Sequence, residues 1–305
     1  MTQYLVRRFA QSAFVFVGLI TLIFFLARIT GDPTDLYLPL TATADQREEF
    51  SHAHGFDRPL LDQYRDFVVD TARLDFGTSL WLSSPALDPV LDRLPMTLLL
   101  SALTMTVSFS LALVLGSLSA IRPLSLIDRL TSFVSLLGVS IADFWLALVL
   151  IIVFAVKLGV LPTSGTGDWT HLVLPIATLS LPLIGRLCQV TRTAVGEQIS
   201  AVYVTTARAK GLRPRQVLSG HVLRNALLPI LTVAGIQFAG LINGAVIVET
   251  VFGWPGIGKL TVDAITRRDF PIIQATVFVV ALMTFALNLT IDLCYAVIDP
   301  RIRYR

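Results

Sequence analysis

Thr97–Ile121 runs for 25 residues without a single charged side chain. An α-helix needs about 20 apolar residues to cross a bilayer core. In lipid, only a structure that satisfies every backbone polar group within itself can span. This one segment therefore restricts the chain to a membrane helix and excludes most soluble folds. The whole chain agrees, with 54% hydrophobic and 15% charged residues over 305 positions. That balance is too apolar for a soluble domain of this length.

Five further segments resemble the first. They are Phe9–Ile29, about Thr131–Val156 (interrupted only by Asp143), about Leu172–Leu187 (with Pro175 and Pro182), Ala226–Val248 and about Ile272–Val297. The expectation is an all-α polytopic membrane protein of six transmembrane helices. Pro271 suits the first turn of the last helix. Arg7 and Arg8 before Phe9–Ile29 imitate a signal peptide, but no small-x-small cleavage site follows closely, so the segment reads as an uncleaved first span.

An even number of spans puts both termini on one side. The N-terminus, Arg122–Arg129, Arg186–Asn225 and the C-terminus hold fourteen basic and three acidic residues. Thr30–Met96 holds five basic and twelve acidic residues. The positive-inside rule assigns the first set, with both termini, to the cytoplasm. It leaves 30–96 as an extracytoplasmic insertion. The expected division is 1–29 as N-terminus and first span, 30–96 as insertion, and 97–305 as the core with a cytoplasmic loop at about 196–225. Within the insertion, Thr43 is placed to cap a helix ending near Gly55. Pro59–Leu74 repeats Leu60, Leu61, Tyr64, Phe67 and Val68 on one face. The net charge of +3 sits between apolar spans, so it reads as a topology signal and not as a nucleic-acid surface.

Few residues suggest chemistry. Gly253-Trp-Pro-Gly-Ile-Gly258-Lys259 satisfies GxxxxGK, but Leu260 stands where a magnesium-holding Ser or Thr belongs. Pro255 removes a backbone donor, and no helix N-terminus in a βαβ setting is expected to follow. A Gly/Pro-rich outer loop is expected instead, with Phe252, Trp254, Pro255 and Gly256 facing the membrane interface, an outer gate or an external partner. Cys188 and Cys294 fall in apolar segments and read as buried small residues, with no metal-ligand spacing. Asp143, Gln237, Asn243, Asn288 and Asp292 lie within spans. A charge in lipid costs at least a few kcal/mol, roughly. Each should therefore face another helix or a wet pathway. No Ser/His/Asp or HExxH arrangement points to catalysis.

The basic interval Tyr203–Pro229 is the remaining anomaly. Thr205, Thr206, Ala207, Arg208, Ala209, Lys210 and Gly211 read as a short helix with small residues on one face and a glycine able to end it left-handed. Arg213-Pro214-Arg215 starts a second helix, and Pro229 is expected to open the fifth span. Small residues let a partner approach closely, while Arg208, Lys210, Arg213 and Arg215 can steer it. Docking of a soluble partner accounts for the ordered Ala/Gly spacing better than a merely solvated loop.

In this order and spacing, a set of short motifs resembles one family closely. They are Tyr4–Arg8, Gly31-Asp32-Pro33, Asp75-Phe76-Gly77-Thr78-Ser79, Arg93-Leu94-Pro95, Leu161-Pro162-Thr163-Ser164-Gly165, Ala207–Gly211, His221–Pro229, Glu249–Gly256 and Asp299–Arg303. The chain resembles the permease subunit of an ATP-binding-cassette importer of the dipeptide/oligopeptide/nickel class, of the dipeptide permease B type. The resemblance implies a type I importer permease fold in a bacterial inner membrane, with no catalytic site of its own. It implies a homologous second permease, two ATPase subunits that bind ATP and Mg, an extracytoplasmic binding protein and peptide cargo. It makes Tyr203, Thr205–Gly211 and Arg215 the loop that couples to the ATPases. Thr205 and Thr206 depart from the wider EAA pattern, as do His221 and Arg224 from its later Ile and Pro. Nickel, haem or another solute is the alternative cargo, and a secondary active transporter is the alternative class.

Overall fold

A computed structural model describes residues 17–18, 20–22, 24–25, 38, 41–54, 57–79 and 81–298, apart from the side chains of 54, 243 and 292–298. Most of the expected first span Phe9–Ile29 lies outside the described residues, as do Tyr4–Arg8, Gly31-Asp32-Pro33 and Asp299–Arg303. The chain divides into two compact units, Met1–Leu94 with Leu260–Phe285, and Pro95–Lys259 with Ala286–Arg305.

In the first unit, α1 (Ala44–His54) begins at a reciprocal cap. The Thr43 amide donates to Gln46 Oε1 at 3.0 Å, and the Gln46 amide donates to Thr43 Oγ1 at 3.4 Å. Helix α2 (Leu60–Ala72) presents Tyr64 and Phe67 to Phe24, with ring centroids 5.3 Å apart in each pair. Tyr64 Oη lies 2.7 Å from Thr21 Oγ1. Leu60, Leu61 and Val68 of the expected apolar face are instead exposed, because α2 turns Tyr64 and Phe67 toward its neighbour.

The Asp75–Ser79 motif forms a tight corner. Gly77 has φ +79, and its amide donates to Asp75 Oδ1 at 2.9 Å. Strand β1 (Thr78–Ser79) pairs antiparallel with β2 (Ser84–Pro85). Ser79, fully buried, donates to Asp269 Oδ2 at 2.6 Å, and the Trp81 amide donates to the same oxygen at 3.2 Å. Arg267 lies over the Trp81 ring, 4.4 Å from its centroid. The other Asp269 oxygen accepts from the Ile272 amide at 3.2 Å. Asp269 thus caps the last helix while holding the corner.

In the second unit, α3 (Leu87–Ile121) carries the charge-free stretch from Thr97 onward. Helix α4 (Leu126–Ser140) follows, then α5 (Asp143–Leu150), which continues through π-helical turns at Ile151–Lys157. The expected third span is therefore broken. Ile141 and Ala142 are extended, with ψ 130 and 136, and the two halves bend by 107°.

Helix α6 (Thr170–Ile199) starts beside Asp168, whose Oδ1 accepts from the Thr170 hydroxyl and contacts His171 Nδ1 at 3.1 Å. The Thr170 hydroxyl and then His171 hold this carboxyl below its ordinary range. α6 outruns the expected Leu172–Leu187 because its polar half is amphipathic. Leu187, Cys188, Thr191, Ala194 and Val195 stay buried at helical spacing. Cys188 is buried, as expected; the side chain of Cys294 lies outside the described residues.

Short helices α7 (Val202–Ala209) and α8 (Pro214–Val217) precede a π-helical turn at Leu218–Val222 and α9 (Leu223–Val251). Pro229 does not open the fifth span. It sits inside α9, since the helix has already begun upstream at Pro214. Helices α10 (Ile257–Thr266) and α11 (Phe270–Ile298) complete the chain, with Pro271 in the first turn of α11 as expected.

Among the described residues, four helices are long and apolar enough to cross a membrane, or five if the bent pair counts as one span. The core of the second unit lies where α3, α6 and α9 meet, around Leu100, Leu187, Ala245 and Val248. Glycines set the closest crossing. A Cβ on Gly138 would lie 2.4 Å from Leu181 O, and one on Gly185 would lie 2.7 Å from Ser135 O.

Candidate functional site

Four places in the second unit hold polar groups with defined geometry. The first is the basic interval. Helix α7 ends at Ala209, with Lys210 as its C-cap. The Gly211 amide donates to Arg208 O at 2.9 Å, and the Leu212 amide donates to Ala207 O at 3.3 Å, with Gly211 at φ +81. This paired closure is the Schellman motif, and it needs a left-handed residue where Gly211 stands. Pro214 then opens α8, and the Arg213 amide donates to Gln216 Oε1 at 3.0 Å.

The interval is anchored from beneath. Val204, Ala207, Val217 and Val222 are buried against Ala194, Val195, Ala226 and Ile230. Ala207 was expected on the face a partner approaches; it is only 8% exposed and packs inward, its small size seating α7 on the spans. Tyr203 is half-buried, its hydroxyl donating to Gln198 Oε1 at 2.8 Å. The outward face carries Val202, Thr205, Thr206 and Ala209, which recur at i, i+3, i+4 and i+7. Val202, 83% exposed, belongs to this face and was absent from the expected set. Its helical spacing to Thr205 and Ala209 was the available signal. Arg208, Lys210, Gly211 and Arg215 are also exposed.

The second place is the Gly/Pro-rich loop. Helix α9 also closes on a Schellman pair, Gly253 N to Thr250 O at 3.2 Å and Trp254 N to Glu249 O at 2.8 Å, with Gly253 at φ +62. Phe252 and Trp254 were expected to face an outer gate or a partner. They are 2% and 4% exposed and belong to the core, with Trp254 Nε1 donating to Met96 O at 3.1 Å. Gly256 is buried and Pro255 half-buried. The apolar rings turn inward because the two-bonded helix end folds the loop back onto α3. The Gly165 amide donates to Phe252 O at 2.8 Å, joining the Leu161–Gly165 motif to the Glu249–Gly256 motif.

The GxxxxGK match runs into a helix N-terminus at Ile257, between two helices and in no βαβ setting, as expected, and that terminus holds an anion. That anion is the carboxylate of Glu249, which is fully buried. Thr97 Oγ1 donates to its Oε1 at 2.6 Å, and the Lys259 amide donates to its Oε2 at 3.1 Å, joined by the Gly258 amide. A Cβ on Gly256 would fall 2.2 Å from Glu249 Oε1. The glycines exist to let backbone close on an internal carboxylate, which occupies the space a phosphate would take. Glu249 stands outside the expected site residues; the signal for it in the sequence is an acidic residue ending an apolar helix just before a Gly-rich turn.

The third place is Asp128, 4% exposed. It accepts from Ser119 Oγ, from the Leu124 amide at 2.8 Å, and from Arg192 through Nε at 2.8 Å and a second nitrogen at 3.1 Å. One carboxylate thereby ties the end of α3, the turn before α4 and the polar half of α6.

The fourth place is the break between α4 and α5. A cavity of about 340 Å³ opens there, lined by residues of α4, α5, α6 and α9 that include Asp143, Arg186 and Gln237. Of the polar residues expected within spans, Asp143 and Gln237 are brought together here. Asn288 is exposed on α11 away from this group, and the side chains of Asn243 and Asp292 lie outside the described residues. Arg186, which was expected to open a loop, lies mid-helix, because α6 continues for 13 more residues to Ile199.

Long apolar helices, a sharply bent apolar pair and polar groups held at helix ends mark an α-helical membrane protein. Residues 112–304 match the family described as binding-protein-dependent transport system inner membrane component, and the chain belongs to that family. It is 36% identical, over all of both chains, to the oligopeptide transport system permease protein AppB of Bacillus subtilis (strain 168). It is 36% identical to the di/tripeptide transport system permease protein DppB of Pseudomonas aeruginosa (strain UCBPP-PA14), again over all of both. The glutathione transport system permease protein GsiC of Escherichia coli (strain K12) is 34% identical with the same full coverage. Among solved structures, an inward-facing form of the MetNI methionine ABC transporter superposes with TM-score 0.58 at 18% identity, covering 69% of this chain and 96% of that one. An amino acid ABC transporter superposes with TM-score 0.53 at 17% identity, covering 68% and 92%. These two likenesses establish the importer-permease fold. The chain is thus a non-catalytic, multi-pass inner-membrane subunit of an ABC importer, a family whose members work with ATPase and binding-protein partners.

Proposed function

We propose that this permease imports short peptides, delivered by an extracytoplasmic binding protein, as one half of a heterodimer with a homologous permease. Two ATPase subunits, which bind the ATP and Mg, engage the interval around 196–225. Six apolar segments support six spans, and the distribution of basic residues supports both termini in the cytoplasm with 30–96 outside. The three full-length relatives support the cargo, since their names specify oligopeptides, di/tripeptides and glutathione.

The observation that carries the coupling role is the construction of α7. Its inner face is seated on α6 and α9 through Val204 and Ala207, while Val202, Thr205, Thr206 and Ala209 remain exposed. A short helix anchored on one side and small-surfaced on the other moves its supports when a partner moves it. The Schellman closure at Gly211 keeps α7 and α8 at a fixed angle. Force on α7 can therefore reach α9 without being absorbed in a loop.

The test is reconstitution of the chain with its second permease, ATPases and binding protein in liposomes. ATP-dependent uptake of di- and tripeptides is expected, together with peptide-stimulated ATP hydrolysis. Uptake by this chain alone, indifferent to ATP, would sink the importer reading in favour of a secondary transporter. Uptake of nickel or haem in place of peptides would overturn the cargo and leave the coupling intact.

A further inference from the structure

We propose that the cavity at the broken span is this chain's share of a recognition site for the charged ends of a short peptide, Arg186 receiving the carboxylate and Asp143 the ammonium group. The inference rests on the peptide reading above and adds to it the residues that select the cargo.

The break itself is the first observation. Two extended residues, Ile141 and Ala142, interrupt an apolar helix pair. Non-helical backbone at membrane depth is tolerated where it lines a cavity, and here it does. Opposite charge on one small space is the second. Asp143 and Arg186 both line the cavity. Neither side chain has a hydrogen bond or an ion pair within 4.0 Å among the described residues. Two opposite charges that serve only to neutralise each other would close into contact, because each costs at least a few kcal/mol, roughly, in lipid. Held apart, they match a ligand that carries both charges at its two ends.

The floor of the cavity is the third observation. Gly240 and Gly244 of α9 line it, and a Cβ on either would meet nothing within 4 Å. These glycines leave room without being required by packing, and Gln237, one turn away, adds an amide able to bond a peptide group. A volume of about 340 Å³ falls at the low end of the roughly 300–1,000 Å³ typical of small-molecule sites, which suits short peptides.

The complete importer in liposomes tests this, with dialanine, N-acetyl-dialanine and dialanine amide as transported probes. Selection by the binding protein is common to all variants, so the change in each preference ratio reports on the permease. Wild type is expected to prefer dialanine over both blocked forms. Arg186→Gln should narrow the preference over the amide by about ten- to hundredfold, the worth of one charged hydrogen bond. It should leave the preference over the acetylated form unchanged. Asp143→Asn should do the reverse. A wild type indifferent to blocking, or variants with unchanged ratios, overturns the inference.

If a lone neutralised variant fails to assemble, the doubly neutral Asp143→Asn, Arg186→Gln chain decides. Purely mutual pairing predicts restored wild-type ratios, whereas recognition predicts that both preferences vanish. Gly244→Leu fills open space and keeps both charges; it should lower diphenylalanine uptake more than dialanine uptake, and equal effects on both would also count against the site. Absence of any peptide uptake by wild type, with ATPase still stimulated by the binding protein, would mark failure of the peptide reading itself.

Discussion

Thr97 donates its hydroxyl to Glu249 at 2.6 Å and accepts the Ile257 amide at 2.8 Å. The two residues are 152 positions apart in sequence, and one hydroxyl joins the start of the charge-free helix stretch, the end of α9 and the first turn of α10. Three motifs that look separate in the sequence become one structure there, through Thr97, through Phe252 O with Gly165, and through Glu249 with the glycine turn.

Thr97→Val should therefore cost more than a methyl-for-hydroxyl swap usually does. It takes away the hydroxyl that accepts from the Ile257 amide and removes one donor from a buried carboxylate. About 1–3 kcal/mol is expected for each unsatisfied buried group. The thermal midpoint of the purified complex should fall clearly, and Thr97→Ser should restore most of it.

Gly256→Ala should behave very differently from Gly240→Ala. The first places a Cβ 2.2 Å from the Glu249 carboxylate, while the second meets nothing within 4 Å. Loss of folded complex in size-exclusion profiles is expected for Gly256→Ala alone. Equal behaviour of the two would contradict the internal-anion cradle.

Gly211→Pro should uncouple transport from ATP hydrolysis while the chain still inserts. Proline lacks the amide that bonds Arg208 O and cannot adopt φ +81. Gly211→Ala keeps the amide and should retain partial coupling. Peptide uptake and ATPase rate measured in the same vesicles give the ratio, and a wild-type ratio in the proline variant would count against a rigid lever.

Asp128→Asn should lower the thermal midpoint more than Arg192→Gln. Asp128 serves Ser119, the Leu124 amide and Arg192 together, whereas Arg192 is about half exposed and can return to water. The reverse order in differential scanning fluorimetry would mean the carboxylate does not organise this corner.

Asp269→Ala should cost about 1 kcal/mol through the lost cap of α11, and more through the stranded Ser79 hydroxyl. Asp269→Asn keeps a single acceptor oxygen, enough for the cap or for the Ser79 corner but not for both, and should fall between wild type and Asp269→Ala in thermal stability.

Much of the helical order was legible because apolar length and amphipathic spacing are local properties. The cap at Thr43, the end of α7 at Gly211 and Pro271 at the head of α11 were all readable from side-chain type at a given place. The break at Ile141–Ala142 was not, since Ile and Ala carry no breaker signal and Asp143 beside them reads equally well as a lone polar residue inside one continuous span. Arg186 was read as the edge of a loop because hydropathy stops at Leu187, although the amphipathic pattern runs on to Ile199. Phe252 and Trp254 were expected outward because a Gly/Pro-rich loop usually lies at the surface. Nothing local reveals that the loop closes on Thr97 and a buried carboxylate.

The sequence by itself determined that this chain lives in a membrane, where some of its helices are capped, and which family it joins. Those properties follow from apolar length, caps and ordered motifs along the chain. Only the tertiary structure decided that a phosphate-loop pattern encloses its own glutamate and that Ala207 faces inward. It alone gathered Asp143, Arg186 and Gln237 around one cavity. Such facts depend on which distant segments share space, and that is settled by packing among helices, not by the order of residues within any one of them.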